Sequence, residues 1–151
     1  MYRPRAYFVT SGAGISRVSP LNAFDRALRA ARISHLNLVK VTSIIPRGAE
    51  EVDYVELEAG TIAFAVLASE VGEGGDTISA GIAWARGEPY GYVMEAHGKE
   101  SGSEIERRLV EMMRDLEEAS NLLLEPVRVK VESLRVPEGC FGAVVAALVF
   151  V

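Results

Sequence analysis

Cysteine occurs once in the 151 residues, as Cys140, and histidine only twice, as His35 and His97. No internal disulfide can form, and both Cys-x-x-Cys and His-x-x-x-His spacings are missing, so the sequence predicts neither a disulfide scaffold nor a metal site. The longest apolar run, Cys140 to Val151, is too short to cross a bilayer as a helix, and Met1-Tyr-Arg-Pro lacks the apolar core of a secretion signal. No membrane partner is expected, and the cytoplasm is the simplest compartment. Positive charge is also scarce: 16 Lys+Arg against 21 Asp+Glu give a net charge of -5, which argues against a general nucleic-acid binder. A Gly-x-Ser-x-Gly elbow is absent. Gly12 and Gly14 are followed by no third glycine and no Gly-Lys-Ser/Thr, so Ser11-Gly-Ala-Gly reads as a flexible turn and not as a phosphate loop.

The 49% hydrophobic and 25% charged residues are those of one globular domain with a sizeable core, spanning 1–151. Charge is unevenly spread. Residues 1–42 hold seven bases against the single acid Asp25, a net of +6, while residues 43–151 hold nine bases and 20 acids, a net of -11. By pattern alone this is chance, or one basic helix packed over an acidic body.

Ala6 to Thr10 reads as a short strand. Ser19 followed by Pro20 is a helix start, because the serine oxygen caps free amides and proline at the first helical position loses no hydrogen bond. Leu21, Phe24, Leu28 and Ala31 then recur at helical spacing, predicting a helix from Pro20 to Arg32 with its arginines outward. His35 to Ile45 reads as one extended segment that stops at Pro46. Gly60 to Ser69, Thr77 to Arg86 and Tyr90 to His97 read as three strands, separated by the turn clusters Gly72 to Asp76 and Gly87-Glu-Pro. Ser103 and Glu106 form a capping box before a helix from Glu104 to Leu123. Val127, Val129 and Val131 alternate with charged residues in a strand with one wet face. Phe141 to Phe150 is almost wholly apolar and belongs in the middle of a sheet. The order of elements predicts an α+β fold, with sheets covered by helices.

Among polar residues on these elements, Asn37 lies between two leucines, Thr42 and Ser43 sit where a strand meets Pro46, and Glu95 ends the run Tyr92-Val-Met. Pattern alone leaves Glu95 as a carboxylate exposed at a strand end and Ser43 as an ordinary strand-end serine. Asp25, on a helix among arginines, serves either a ligand or a surface ion pair.

Taken together, Pro20-Leu-Asn-Ala-Phe-Asp25, Asn37-Leu-Val-Lys-Val-Thr-Ser43-Ile-Ile-Pro46 with Gly48-Ala-Glu50, Thr77-Ile-Ser-Ala80 and Met94-Glu95 resemble, in order and through nearly the whole chain, the pyruvoyl-dependent arginine decarboxylase family. The resemblance implies a four-layer αββα sandwich that cleaves itself into a β chain, 1–42, and an α chain, 43–151, with three such pairs forming a trimer whose active sites lie between neighbours. It places the cut between Thr42 and Ser43. The Ser43 hydroxyl attacks the Thr42 carbonyl, the peptide becomes an ester, elimination leaves dehydroalanine, and hydrolysis yields ammonia and a pyruvoyl group. That group is the cofactor: it takes up the amine of L-arginine as a Schiff base and draws in the electrons freed as carbon dioxide leaves. The resemblance further makes Glu95 the acid that protonates the substrate carbon, Asn37 a donor to the oxyanion of cleavage, Asp25 the receiver of the guanidinium, and Leu21, Ser34 and Leu36 the surroundings of bound substrate. The implied product is agmatine, serving polyamine synthesis or acid consumption. Thr42 in place of serine keeps a small hydroxyl residue. Arg47-Gly48 replaces a proline- and acid-containing stretch, and Ser34 stands where glycine is familiar, so both departures bear on substrate preference more than on cleavage. Two alternatives stay open: a pyruvoyl decarboxylase of another amino acid, and an uncleaved homologue that binds a cationic ligand or a partner subunit.

Overall fold

The computed structural model describes residues 1–151. Strand β1 (Ala6–Ser16) leads into helix α1 (Pro20–Ala30), followed by β2 (Asn37–Lys40), β3 (Ile44–Ile45), β4 (Glu50–Glu51), β5 (Ile62–Glu73), β6 (Thr77–Ala85), β7 (Gly87–Glu88), β8 (Gly91–Gly98), α2 (Gly102–Ala119), β9 (Leu123–Leu124), β10 (Arg128–Arg135) and β11 (Phe141–Phe150). The first sheet has the order β2-β5-β11-β1-β4 and the second β10-β6-β8-β3; β7 and β9 form a separate pair. The fold is α+β, as expected.

Strand β11 sits at the centre of the first sheet, antiparallel to β1 from Tyr7↔Phe150 to Ser16↔Phe141 and to β5 on its other edge. Both its faces are used. Val144, Ala146, Leu148 and Phe150 join Tyr7, Val66, Ile78, Ile82, Trp84 and Val93 in a core between the two sheets. Ala143, Val145, Ala147 and Val149 join Phe8, Ala23, Ala27, Ala31 and Ile33 in a core beneath α1. A third, smaller core packs Ile105, Leu109 and Met113 of α2 against Ala83, Ala85 and Ala96 of the second sheet. A strand buried on both faces has no use for polar alternation, which is why β11 reads as a continuous apolar run.

The glycines of β1 are a correction to the sequence reading. Ser11-Gly-Ala-Gly is not a turn: β1 runs straight through it, and α1 lies directly on Gly12 and Gly14. A Cβ at Gly12 would meet the Ala27 carbonyl and, 2.6 Å away, the Ala31 nitrogen; at Gly14 it would meet the Ala27 nitrogen and the Ala23 carbonyl. The glycines face Ala23, Ala27 and Ala31, all fully buried, so helix and sheet meet backbone to backbone.

Other boundaries also move. Helix α1 starts as expected, with Ser19 accepting from the Asn22 N–H at 3.0 Å and Pro20 in the first turn. It ends at Ala30, because Arg32 adopts φ 65° and turns the chain away. Helix α2 is capped by Ser101 with Glu104, two residues before the predicted box, and stops at Ala119, short of Leu123. Strand β5 continues to Glu73 and absorbs the start of the predicted Gly72 to Asp76 turn. The largest difference is at 35–45, where one predicted strand is two, in different sheets.

Replacing Gly12 with alanine forces α1 off the sheet. Gly12→Ala is expected to cost about 3 kcal/mol, the upper end for overpacking, read as a loss of stability in urea or thermal unfolding.

Candidate active site at the crossing between the sheets

Strand β2 runs parallel to β5, with Asn37 opposite Ile62 and Lys40 opposite Ala65. Its last tie to the first sheet is the Val41 N–H, which donates to the Ala65 carbonyl at 2.9 Å. Two residues later the Ser43 carbonyl accepts from the Val93 N–H at 2.8 Å, in the second sheet. Ile44 then pairs with Tyr92 and Ile45 with Gly91, antiparallel. The chain thus leaves one sheet, reverses and enters the other across Thr42 and Ser43. Thr42 is exposed and Ser43 half-buried, and neither hydroxyl is engaged in a hydrogen bond within the protein. The bond between them is anchored on both sides by different sheets and held at neither hydroxyl.

Glu95 lies on β8 opposite Ile82. Side chains alternate along a strand, so Glu95 shares the face of Val93 and His97. Val93 is buried between the sheets, and His97 reaches Glu70 of β5, with its Nδ1 2.9 Å from Oε2. The exposed Glu95 carboxylate therefore projects toward the first sheet, about 7 Å along β8 from Val93 and beyond the point where β3 covers that edge.

Asn37 is at the opposite end of β2. Its Nδ2 donates to the Gly60 carbonyl at 3.0 Å and its backbone N–H to the Thr61 carbonyl at 2.9 Å. Four strand steps away, it stands about 13 Å below Val41, and its amide ties β2 to the loop before β5. Ser34 and Leu36 occupy the turn from α1 to β2, both half-buried, Leu36 against the core beneath α1. Tyr54 secures this turn: its hydroxyl donates to the Arg32 carbonyl at 2.9 Å, and the Arg32 guanidinium lies 3.6 Å from the ring centroid.

Leu21 and Asp25 lie one turn apart on α1, Leu21 at 76% exposure. Oδ2 of Asp25 accepts from Arg29 Nε at 2.7 Å, an i,i+4 pair on an open surface. Arg26 is occupied with the Ile15 carbonyl. Helix α1 covers the outer face of β1 and β11, whereas Glu95 belongs to the second sheet, and β2 is two strand spacings, about 10 Å, from β11. One copy of the chain therefore brings Ser43 and Glu95 to one edge, Ser34 and Leu36 to the entrance of β2, and leaves Leu21 and Asp25 a layer away.

A cavity of about 370 Å³ adjoins the crossing, lined by Tyr2, Arg3, Val41, Ile44, Phe64 and Phe150 among others. Val41 and Ile44 flank the Thr42–Ser43 pair, and Tyr2 packs on Phe64 with ring centroids 5.6 Å apart. Sequence reasoning missed these aromatics and Tyr54, which share no spacing, and the Val93 donor, which is backbone. At the end of the sheets a second cavity, about 170 Å³, is ringed by Tyr7, Glu51, Trp84, Arg86, Glu125 and Arg128. Its charges pair internally: Trp84 Nε1 and Arg128 both donate to Glu51, and Arg86 to Glu125. No group of three or more His, Cys, Asp or Glu is arranged to hold a metal ion, and no helix is long and apolar enough to cross a membrane.

Comparison with known proteins defines the class. The chain belongs to the pyruvoyl-dependent arginine decarboxylase family, whose model matches residues 6–151. The curated pyruvoyl-dependent arginine decarboxylase of Methanothermobacter thermautotrophicus is 38% identical over 144 residues, covering 94% of this chain and 93% of its own. That of Methanopyrus kandleri is 37% identical over 150 residues, covering 97% of each. A probable pyruvoyl-dependent arginine decarboxylase of Chlorobaculum parvum is 39% identical over 102 residues, 62% of this chain and 56% of its own.

The second cavity makes a prediction independent of that class. Burial, and next the Glu51 carboxylate, push the Tyr7 phenol from 10.0 up to about 12. The folded state then holds a proton that the unfolded state releases, so the stability this contributes is whole below pH 10.0 and is lost as pH rises toward about 12. In urea unfolding, Tyr7→Phe is expected to flatten that alkaline decline.

Proposed function

We propose that the chain converts L-arginine to agmatine and carbon dioxide, using a pyruvoyl group made from its own Ser43 by autocatalytic cleavage after Thr42. Family membership supports the reaction. The observation that carries the residue assignment is the crossing: Val41 is tied to the first sheet, the Ser43 carbonyl to the second, and the bond between 42 and 43 spans the gap.

Cleavage there leaves both new ends held. The piece 1–42 contributes β1, α1 and β2, and β1 stays hydrogen-bonded along β11 while β2 stays on β5. Tyr7, Phe8, Ala23, Ala27, Ala31 and Ile33 of that piece are all at most 1% exposed, so its departure would open two cores. Apolar burial, with the opposite charges of the two pieces as a weaker contribution, keeps them one body. The layer order α1, first sheet, second sheet, α2 supports reading the architecture as an αββα sandwich.

The residues around the crossing fit a pyruvoyl group. Residue 43 keeps its carbonyl and its bond to Ile44 after cleavage, and a free hydroxyl is the group the conversion needs. When formed, the group supplies a ketone that binds the substrate amine and accepts the electrons released with carbon dioxide. Glu95, exposed and on the face turned to the first sheet, is placed to hand a proton to the substrate carbon. Asp25 gives Oδ2 to Arg29 and keeps Oδ1 for a guanidinium. Ser34 and Leu36 shape the substrate's surroundings from the turn that Tyr54 holds, and Asn37 acts by anchoring β2. Because α1 lies a layer away from Glu95, Leu21 and Asp25 serve the site of a neighbouring copy, which supports a trimer with sites between subunits. The exposed Leu21 fits such a contact. The single cysteine supports a cytoplasmic protein without metal.

Mass spectrometry of the purified protein tests cleavage: two pieces divided at 42/43 are expected, and Ser43→Ala should remain one inactive chain. Glu95→Gln should cleave yet lose about 10²-fold or more in kcat. Asp25→Asn should raise KM for arginine about tenfold or more, the scale of one charge-assisted hydrogen bond, with stability almost unchanged; a normal KM would remove Asp25 from the site.

A further inference from the structure

The hydrogen bond from the Val93 N–H to the carbonyl of residue 43 closes the short β3–β8 ladder. It lies on the side of the cut that is retained. Breaking the bond between 42 and 43 removes the chain preceding residue 43 but leaves its carbonyl attached to Ile44, which β8 holds through Tyr92. In a pyruvoyl group derived from Ser43, the same oxygen is the amide carbonyl next to the ketone.

We propose that the Val93 N–H is a fixed donor to the residue 43 oxygen in the mature enzyme, holding the plane of the cofactor's two carbonyls and stabilising negative charge on that oxygen during decarboxylation. This inference rests on the reading of Ser43 given above.

Three observations converge on it. The donor is preorganised: it is backbone, its contact is 2.8 Å, and the Val93 side chain is 1% exposed in the core between the sheets, so the strand cannot swing it away. A donor already aimed at the place where charge gathers stabilises that charge without reorganising. The donor is also the last of its kind on the edge, because β3 ends there and no strand pairs with β8 beyond Val93 on that side. Residue 43 therefore lies at the boundary between a closed ladder and open space, with the Glu95 carboxyl about 7 Å further along the same strand. The donor polarises the oxygen, and the acid projects from the same strand. Lastly, the side-chain amide nearest in sequence, Asn37, already donates to the Gly60 carbonyl. The edge of β8 has no such competing partner.

The test replaces the Val93 amide with an ester by incorporating the α-hydroxy analogue of valine, which keeps the side chain and deletes the N–H. An ester at Met94, whose N–H points into the ladder with β6, controls for losing one sheet hydrogen bond. In cleaved protein labelled with carbonyl ¹³C serine, the residue 43 carbon is distinguished by its adjoining ketone. The ester at 93 is expected to move this resonance and to lower kcat by roughly 10²-fold, the scale of losing one such donor, with KM little changed; the ester at 94 should do neither. Amide exchange in unsubstituted cleaved enzyme adds a reading that needs no variant: the Val93 amide should stay protected. Free exchange at Val93, or equal behaviour of the two esters, overturns the inference while leaving cleavage and activity in place. A wild-type chain that remains intact overturns the reading of Ser43 and this inference together.

Discussion

The antiparallel ladder between β1 and β11 is the interaction on which the remaining structure depends. It joins the two ends of the chain, Tyr7 to Phe150 and Ser16 to Phe141, in the middle of the first sheet. With β11 also paired to β5 and packed on both faces, both sheets and α1 refer their positions to this strand. The ladder would also hold the two pieces together under the proposed cut after residue 42. Residues 1–42 are bound through the longest strand pairing they make, and through two cores, so covalent continuity at Thr42 contributes little to holding them.

Small residues set the distances between layers. Gly12 and Gly14 let α1 approach the first sheet, and Ala83, Ala85 and Ala96 do the same for α2 on the second. The crossing itself is short: the chain passes from the first sheet to the second between the Val41 N–H and the Ser43 carbonyl. Within it, neither the Thr42 nor the Ser43 hydroxyl has a hydrogen-bond partner in the protein.

Much of the fold was legible in the residues. Period-two and period-3.6 patterns located β6, β8, β10, both helices and the central place of β11, because burial on one face or two leaves a direct imprint on sequence. The errors fell where two elements touch. Ser11-Gly-Ala-Gly resembles a turn only until α1 is laid on it, and His35 to Ile45 resembles one strand because its residues have the same strand-forming character on both sides of the crossing. Ser43 and Glu95 stand out from their neighbours only through the family resemblance, and 52 positions separate them; β3–β8 pairing brings them to one edge.

By itself, then, the sequence determined the composition of the cores, the order of elements and the family, since these depend on residue type and spacing. Tertiary structure decided which sheet each half of the 35–45 segment joins, that Asn37 is engaged at Gly60, and that a backbone N–H at Val93 faces residue 43. Those outcomes depend on pairing between distant strands and on main-chain atoms that are the same in every residue, so no side-chain pattern records them.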